Sequence, residues 1–398
     1  MSPQTAGHLY IHVPFCRSRC SYCAFSSSVV AAIPEKEYLA GLEIEFNSRL
    51  EFWPGADLPL ATLYFGGGTP SLLSPYFYSR IIDLCTDKLG FVTAAEITLE
   101  ANPADLSYGL IRGYRAAGIN RLSLGAQTFA PAGLQLLGRR HDGRMIEKAV
   151  DQVRRGGMEN LSLDLIYAWP GQDLAGLQAD LHKISALAPE HVSAYSLSLE
   201  PGTRLAQMVA AGEVQALSEE TQVEMMGLLA RGLENFGLYR YEVSNFAREP
   251  RLQARHNLAY WHLEDFLGLG AGACGGWYCR RNERHWAERY CNVSDPLVYL
   301  RRLAAAERSS RPDCETWCEK ELIDRNTSLI EALMMGLRLR EGAALAALQA
   351  EYGAQAVAAV MARAQPFLAD GLLAETENNL SITDKGLFLS DTILSFLL

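Results

Sequence analysis

The run LYIHVPFCRSRCSYCAF, residues 9–25, joins an alternating apolar segment to three cysteines, Cys16, Cys20 and Cys23. LYIHV reads as a strand, and the cysteines fall in the loop that leaves its C-terminal end. Their spacing is Cys-x3-Cys-x2-Cys, with Phe25 rather than another thiol two residues past the last. Three thiolates in one loop can hold three irons of a cubic [4Fe–4S] cluster and leave the fourth iron to a non-protein ligand, since full protein ligation takes four cysteines. A structural zinc site needs a fourth protein ligand. The nearest candidate, His12, sits inside the alternating strand.

Further strand-like runs follow: TLYF (62–65), EITLE (96–100), RLSLG (121–125), LSLDLIY (161–167) and VSAYSLSL (192–199). Helix-like stretches separate them at roughly 34–52, 75–88, 104–117, 144–156 and 174–187. This alternation predicts right-handed β-α-β units and one parallel sheet. Six strands make a partial (β/α)6 barrel of the α/β class, because a closed barrel needs eight. Chemistry in such folds sits at the C-terminal ends of the strands. The cysteines, FGGGTPS (65–71), Glu100 and GAQTF (125–129) all fall there.

Beyond this region, SEETQVEMMGLLARGLENFG (218–237) reads as an amphipathic helix and YRYEV (239–243) as a further strand. Residues 249–292, rich in Gly, Arg and aromatics, read as irregular. From about 297 the pattern turns helical, and AETENNLSIT (374–383) reads as a hairpin turning at Asn378-Asn379. The expected division is a barrel over 1–245, a connecting segment over 246–296 and a helical, winged-helix-like domain over 297–398.

The chain of 398 residues carries a formal net charge of -10, which argues against a nucleic-acid binder held by a broad phosphate footprint. The C-terminal hairpin, with no Lys or Arg, points the same way. No apolar run reaches the ~18–20 residues of a membrane span. The start, MSPQTAGH, lacks the basic and apolar regions of a secretory signal. Nine cysteines, an odd number in a long chain, suggest a reducing cytoplasm with metal or redox use rather than a disulfide scaffold.

The cysteine signature resembles that of the radical S-adenosylmethionine (SAM) superfamily. The resemblance implies that the amine and carboxylate of SAM occupy the open iron. It also implies that one-electron reduction cleaves SAM to methionine and a 5′-deoxyadenosyl radical. FGGGTPS resembles the glycine-rich element of that superfamily, in which Gly67, Gly68 and Thr69 would contact the methionine part of SAM. Glycines suit such a role because backbone N–H groups can approach a charged ligand closely. The order of the remaining polar positions resembles the coproporphyrinogen-dehydrogenase-like branch. There Tyr10, Glu100, Gln127, Arg139, Asp164 and Ser198 would line a SAM site, with Arg139 a candidate for the SAM carboxylate. Asp164 lies in an apolar strand, where a carboxylate without partners is costly.

That branch holds a dehydrogenase that oxidatively decarboxylates two porphyrin propionates, and a group of haem chaperones. Phe25 and the segment RHNLAYW (255–261) resemble the chaperones. The resemblance implies haem contact by His256, Asn257, Tyr260 and Trp261. Histidine can ligate haem iron and aromatics can pack on a macrocycle; alternatively, this segment shapes a loop against the barrel. The implied setting is a cytoplasmic protein, peripheral at the membrane, that hands haem to a respiratory haem protein. A flavodoxin-like electron donor and a monomer or homodimer complete the expectation. The alternative is a true radical SAM enzyme acting on a tetrapyrrole, or a methyltransferase or cyclopropane-forming relative. Departures from the family pattern keep it open: Cys274, Cys291, and Ala168-Trp169 in place of Gly-Leu. With Cys279, Cys314 and Cys318, these two cysteines read either as ordinary semi-buried thiols or as auxiliary metal ligands or a redox pair.

Overall fold

The computed structural model describes residues 4–278, 286–307 and 317–397. Strands β1 (Gly7–Val13), β2 (Leu60–Gly67), β3 (Phe91–Ala101), β4 (Arg121–Gln127), β5 (Asn160–Tyr167) and β6 (His191–Ser196) pair in that order, all parallel. The crossovers carry α1 (Glu35–Leu50), α2 (Pro75–Lys88), α3 (Tyr108–Ala117), α4 (Pro131–Leu136), α5 (Gly143–Arg155) and α6 (Leu174–Leu187). Side-chain caps set several of their starts: Ser74, Ser107, Asp142 and Asp173 each accept a backbone N–H of the first turn. Strand alternation divides the side chains. Leu9, Ile11, Val13, Leu63 and Phe65 are fully buried in the main apolar core. Tyr10, Tyr64 and Glu100 take the other face and meet in the barrel lumen, where Tyr10 stacks on Tyr64 and Tyr64 donates to Glu100.

The sheet extends past the six expected strands to twelve. After α7 (Arg204–Ala210), α8 (Glu219–Asn235) and α9 (Arg255–Trp261), the chain forms β7 (Phe266–Leu269), which pairs parallel to β1. Three antiparallel strands continue that edge: β8 (Cys274–Trp277), β9 (Ala287–Asn292) and β10 (Cys318–Ile323). Residues 239–240 and 245–247 close the opposite edge. The region expected to be irregular is therefore structured where it is described, as α9 and strands β7 to β9. Its glycines hid the pattern: a Cβ at Gly268 would meet the backbone of Cys274, and one at Gly275 the ring of Tyr290. Close approach of neighbouring strands replaces the alternation a half-buried strand would show.

Cys274 and Cys291 face each other across β8 and β9 and form a disulfide. Of the alternatives for these two cysteines, this excludes ordinary free thiols and metal ligands and agrees with a redox pair: direct cross-strand pairing brings the two Cβ atoms within bonding reach. Cys318 is a buried thiol on β10; Cys279 and Cys314 lie outside the described residues. Glu45 of α1, fully buried, accepts hydrogen bonds from Gly270, Asn292 and Tyr299. Arg49, one turn on, pairs with Glu45 and donates to Asn292. This polar cluster ties the added strands and α10 (Pro296–Glu307) to α1.

A second apolar core, from Leu333 to Leu397, holds α11 (Arg325–Gly336), later helices and a three-stranded sheet of residues 343–344, 379–382 and 373–375. This is the helical, winged-helix-like domain. It meets the barrel through the Glu242–Leu339 bridge and the Arg340 N–H, which donates to the Tyr241 carbonyl at 3.0 Å. Among the described residues no helix is long and apolar enough to cross a membrane.

Candidate functional site

The cysteine loop is pinned on both flanks. Residues 15–16 pair with residues 28–29. Ser21 donates its N–H to the Leu137 carbonyl at 3.2 Å and its Oγ to that of Leu136 at 2.6 Å, and it accepts from the Leu205 N–H at 2.8 Å. Cys16, Cys20 and Cys23 line one cavity of about 680 Å³ at the C-terminal mouth of the barrel. Thr69 donates to Cys16 Sγ and Arg139 to Cys20 Sγ, each at 3.4 Å. Burial pushes the Cys23 thiol up, and the neighbouring Cys20 and Cys16 add to the effect. His12 does not join them: its ring bonds to the Ser26 carbonyl at 2.7 Å and to Tyr10 at 2.9 Å.

Gly67 and Gly68 form the opposite wall. Gly67 holds φ +111°, and a Cβ there would meet the His12 ring at 2.5 Å. A Cβ on Gly68 would meet the carbonyls of Val13 and Phe15 at 2.8 Å. Only glycine leaves this wall open. Glu100 accepts from Tyr64 at 2.8 Å and from the Gly67 N–H at 3.1 Å. Burial pushes its carboxyl up to about 7. Asp164 accepts from Ser123 at 2.8 Å, and burial raises it as well. Gln127 holds φ +66°, which a non-glycine residue rarely adopts and which aims its side chain into the cavity. Arg139 donates to the Gly125 carbonyl at 3.0 Å, while its Nε is buried without a partner.

Of the predicted SAM-site residues, Gly67, Gly68, Thr69, Glu100, Gln127, Arg139, Asp164 and Ser198 all line the cavity. Tyr10 stands behind Tyr64 and outside the lining. Tyr64, missed in the sequence, orients Glu100; its signal was a polar residue at an inward position of TLYF.

The segment expected to contact haem lies at the other end of the barrel. Glu96 accepts the backbone N–H groups of Arg255 and His256 and seats α9 across the floor. His256 is buried, with Nδ1 bonded to Thr62 at 2.7 Å and Nε2 to Tyr260 at 2.8 Å. Its ring stacks on Tyr64 at 5.0 Å, and burial keeps it neutral. Asn257 reaches the lumen cavity. Trp261 faces the C-terminal domain, beneath Arg338.

The donor set fits an iron–sulfur cluster better than a zinc ion. Among the described residues no three His, Cys, Asp or Glu side chains converge on a single metal, whereas a cubane spreads its thiolates over separate irons. The open glycine wall, the unpartnered Arg139 Nε and two buried carboxylates beside it fit a zwitterionic ligand with a cationic centre.

Comparison with known proteins bears on this site. The model of the radical SAM superfamily matches residues 10–184, which places the barrel and its cysteine loop in that class. The HemN C-terminal domain model matches residues 323–389. The chain is 31% identical to the heme chaperone HemW of Lactococcus lactis subsp. lactis, over 98% of this chain and 97% of that protein. It is 34% identical to the heme chaperone HemW of Mycobacterium tuberculosis, over 98% and 94%. A solved structure of coproporphyrinogen III oxidase (HemN) from Escherichia coli superposes with a TM-score of 0.80, covering 99% of this chain and 90% of that one. At 22% identity it shows a shared fold. The chain belongs to the HemW family of the radical SAM superfamily. Membership implies a [4Fe–4S] cluster and SAM as cofactors.

Proposed function

We propose that this chain is a haem chaperone that binds a [4Fe–4S] cluster, SAM and haem, and delivers haem to a respiratory haem protein from the cytoplasmic side of the membrane. The observation that carries the reading is the cavity in which three thiols meet a glycine wall, Arg139, Glu100 and Asp164. Cys16, Cys20 and Cys23 would hold the cluster. Arg139 would take the SAM carboxylate through its unpartnered Nε. Glu100 and Asp164 would accept hydrogen bonds from its amine or hydroxyl groups. The bound cluster supplies one-electron reducing power, for which a flavodoxin-like donor suffices. Closure of the floor by α9 excludes water from below.

Phe25, 67% exposed beside the loop, stands where the related dehydrogenases carry a further thiol. Cys274 and Cys291, which kept an enzyme reading open, bond to each other and line no part of the cavity. Haem contact through His256, Asn257, Tyr260 and Trp261 remains the proposal for that segment. Asn257 reaches the lumen cavity, and His256 would have to release Thr62 or Tyr260.

The test is anaerobic reconstitution followed by addition of SAM, reductant and haem. Haem retained intact with little 5′-deoxyadenosine supports the chaperone. Stoichiometric 5′-deoxyadenosine with a mass-shifted porphyrin would make the protein an enzyme. Replacing Cys16, Cys20 or Cys23 with Ala is expected to abolish the brown cluster absorbance and bound iron; full iron content in any of the three would overturn the ligand assignment.

A further inference from the structure

A second cavity, of about 810 Å³, shares the cysteine loop with the lumen but is otherwise walled by α4 and the start of α7. The SAM reading makes no use of it. Its size falls within the range of small-molecule sites. Arg19 and Arg204 line it, and no Asp or Glu does. In a chain with ten more acidic than basic residues, that is a local reversal of charge. Both arginines are exposed, and neither makes an ion pair or side-chain hydrogen bond among the described residues. Ala132, Leu136 and Met208 supply apolar lining. The walls are held in register by Ser21, which bonds to both α4 and α7 through its N–H, Oγ and carbonyl.

A groove with apolar lining, two unpaired guanidinium groups and no carboxylate suits a flat apolar body bearing two carboxylates. The geometry points to this groove as the haem site, with the propionates on Arg19 and Arg204 and the macrocycle against Leu136 and Met208. This rests on the haem-chaperone reading. It differs from that reading's expectation in setting the cargo outside the cysteine loop instead of at the barrel floor. Arginine suits the role because its planar fork binds carboxylates in two-point fashion.

The test is a titration of the cluster-loaded protein with hemin and, separately, with haem dimethyl ester, which lacks the carboxylate charges. Arg204→Glu is the leading variant. It lies on α7, outside the cysteine loop itself, and an acidic residue suits the first turn of a helix. Arg19→Glu is the second, accepted only if cluster absorbance and SAM binding are retained. Each is expected to weaken hemin binding about tenfold and to leave the weaker binding of the ester unchanged. Equal hemin affinity in wild type and Arg204→Glu would overturn the groove. So would wild type that binds ester as tightly as hemin, or a loss of hemin binding in His256→Ala alone. Slower cluster reduction by an acidic protein donor, with hemin affinity intact, would reassign the arginines to donor docking and overturn it also. Wild type that binds no hemin at all would remove the chaperone reading itself.

Discussion

Glu100 shows how one side chain ties the fold to the candidate site. In the folded chain it keeps its proton up to about 7, against 4.5 for an ordinary glutamate. Between those values the folded state holds a proton that the unfolded state has lost, so stability falls as pH rises through that window. Glu100→Gln is expected to flatten the decline in the absence of SAM. Thermal melts across pH would show it; parallel curves would refute it. Loss of the carboxylate should also weaken SAM binding. Ala168 makes a second residue-scale case. It holds φ +60°, where a Cβ is strained and glycine is not. Ala168→Gly should gain roughly 0.5 kcal/mol, the difference between about 1–2 kcal/mol of strain and the backbone entropy of glycine. An unchanged or lower Tm would contradict it. The neighbouring Trp169 fills a small core with Leu137 and Ile166 under the cysteine loop. Polar residues that end strands, such as Glu100 and Gln127, were readable from sequence because strand ends are where such folds place their chemistry. Tyr64 was missed because a tyrosine in a strand looks like packing, and only its inward position in TLYF marked it.

At the scale of elements, the six parallel strands and the helices between them followed from apolar runs of the right length in regular alternation. The strands from β7 onward did not, because glycines demanded by close strand contact broke their alternation. The same blind spot hid the Cys274–Cys291 pair: residues 17 positions apart become partners only once β8 and β9 are known to be neighbours. Closing that loop should contribute roughly 3 kcal/mol. Reductant is therefore expected to lower the Tm of wild type but not of a Cys274→Ser/Cys291→Ser double variant. Alkylation before reduction should leave these two cysteines unlabelled. Full labelling, or a Tm indifferent to reductant, would show that the bond does not form.

For the whole molecule, the two ends of the barrel have different tasks. The mouth carries the thiols, the glycine wall and the carboxylates. The floor is plugged by α9, which also touches the C-terminal domain through Trp261 and Arg338. A motif read only by type could not reveal its position: the aromatic and imidazole groups of RHNLAYW suit a macrocycle as well as a plug. His256→Ala is expected to cost about 3 kcal/mol, because it strips buried partners from Thr62 and Tyr260. Chemical denaturation would measure this, and a change below about 0.5 kcal/mol would show that the plug is not structural.

The lumen cavity opens beside the cysteine loop, and the groove proposed for the cargo borders that same loop. Cargo lodged at that rim would narrow the path of a molecule seated deep beside Glu100 and Asp164. SAM and cargo should therefore load in sequence: cargo added first would slow the entry of SAM, and cargo added last would trap it, with no direct contact between the two.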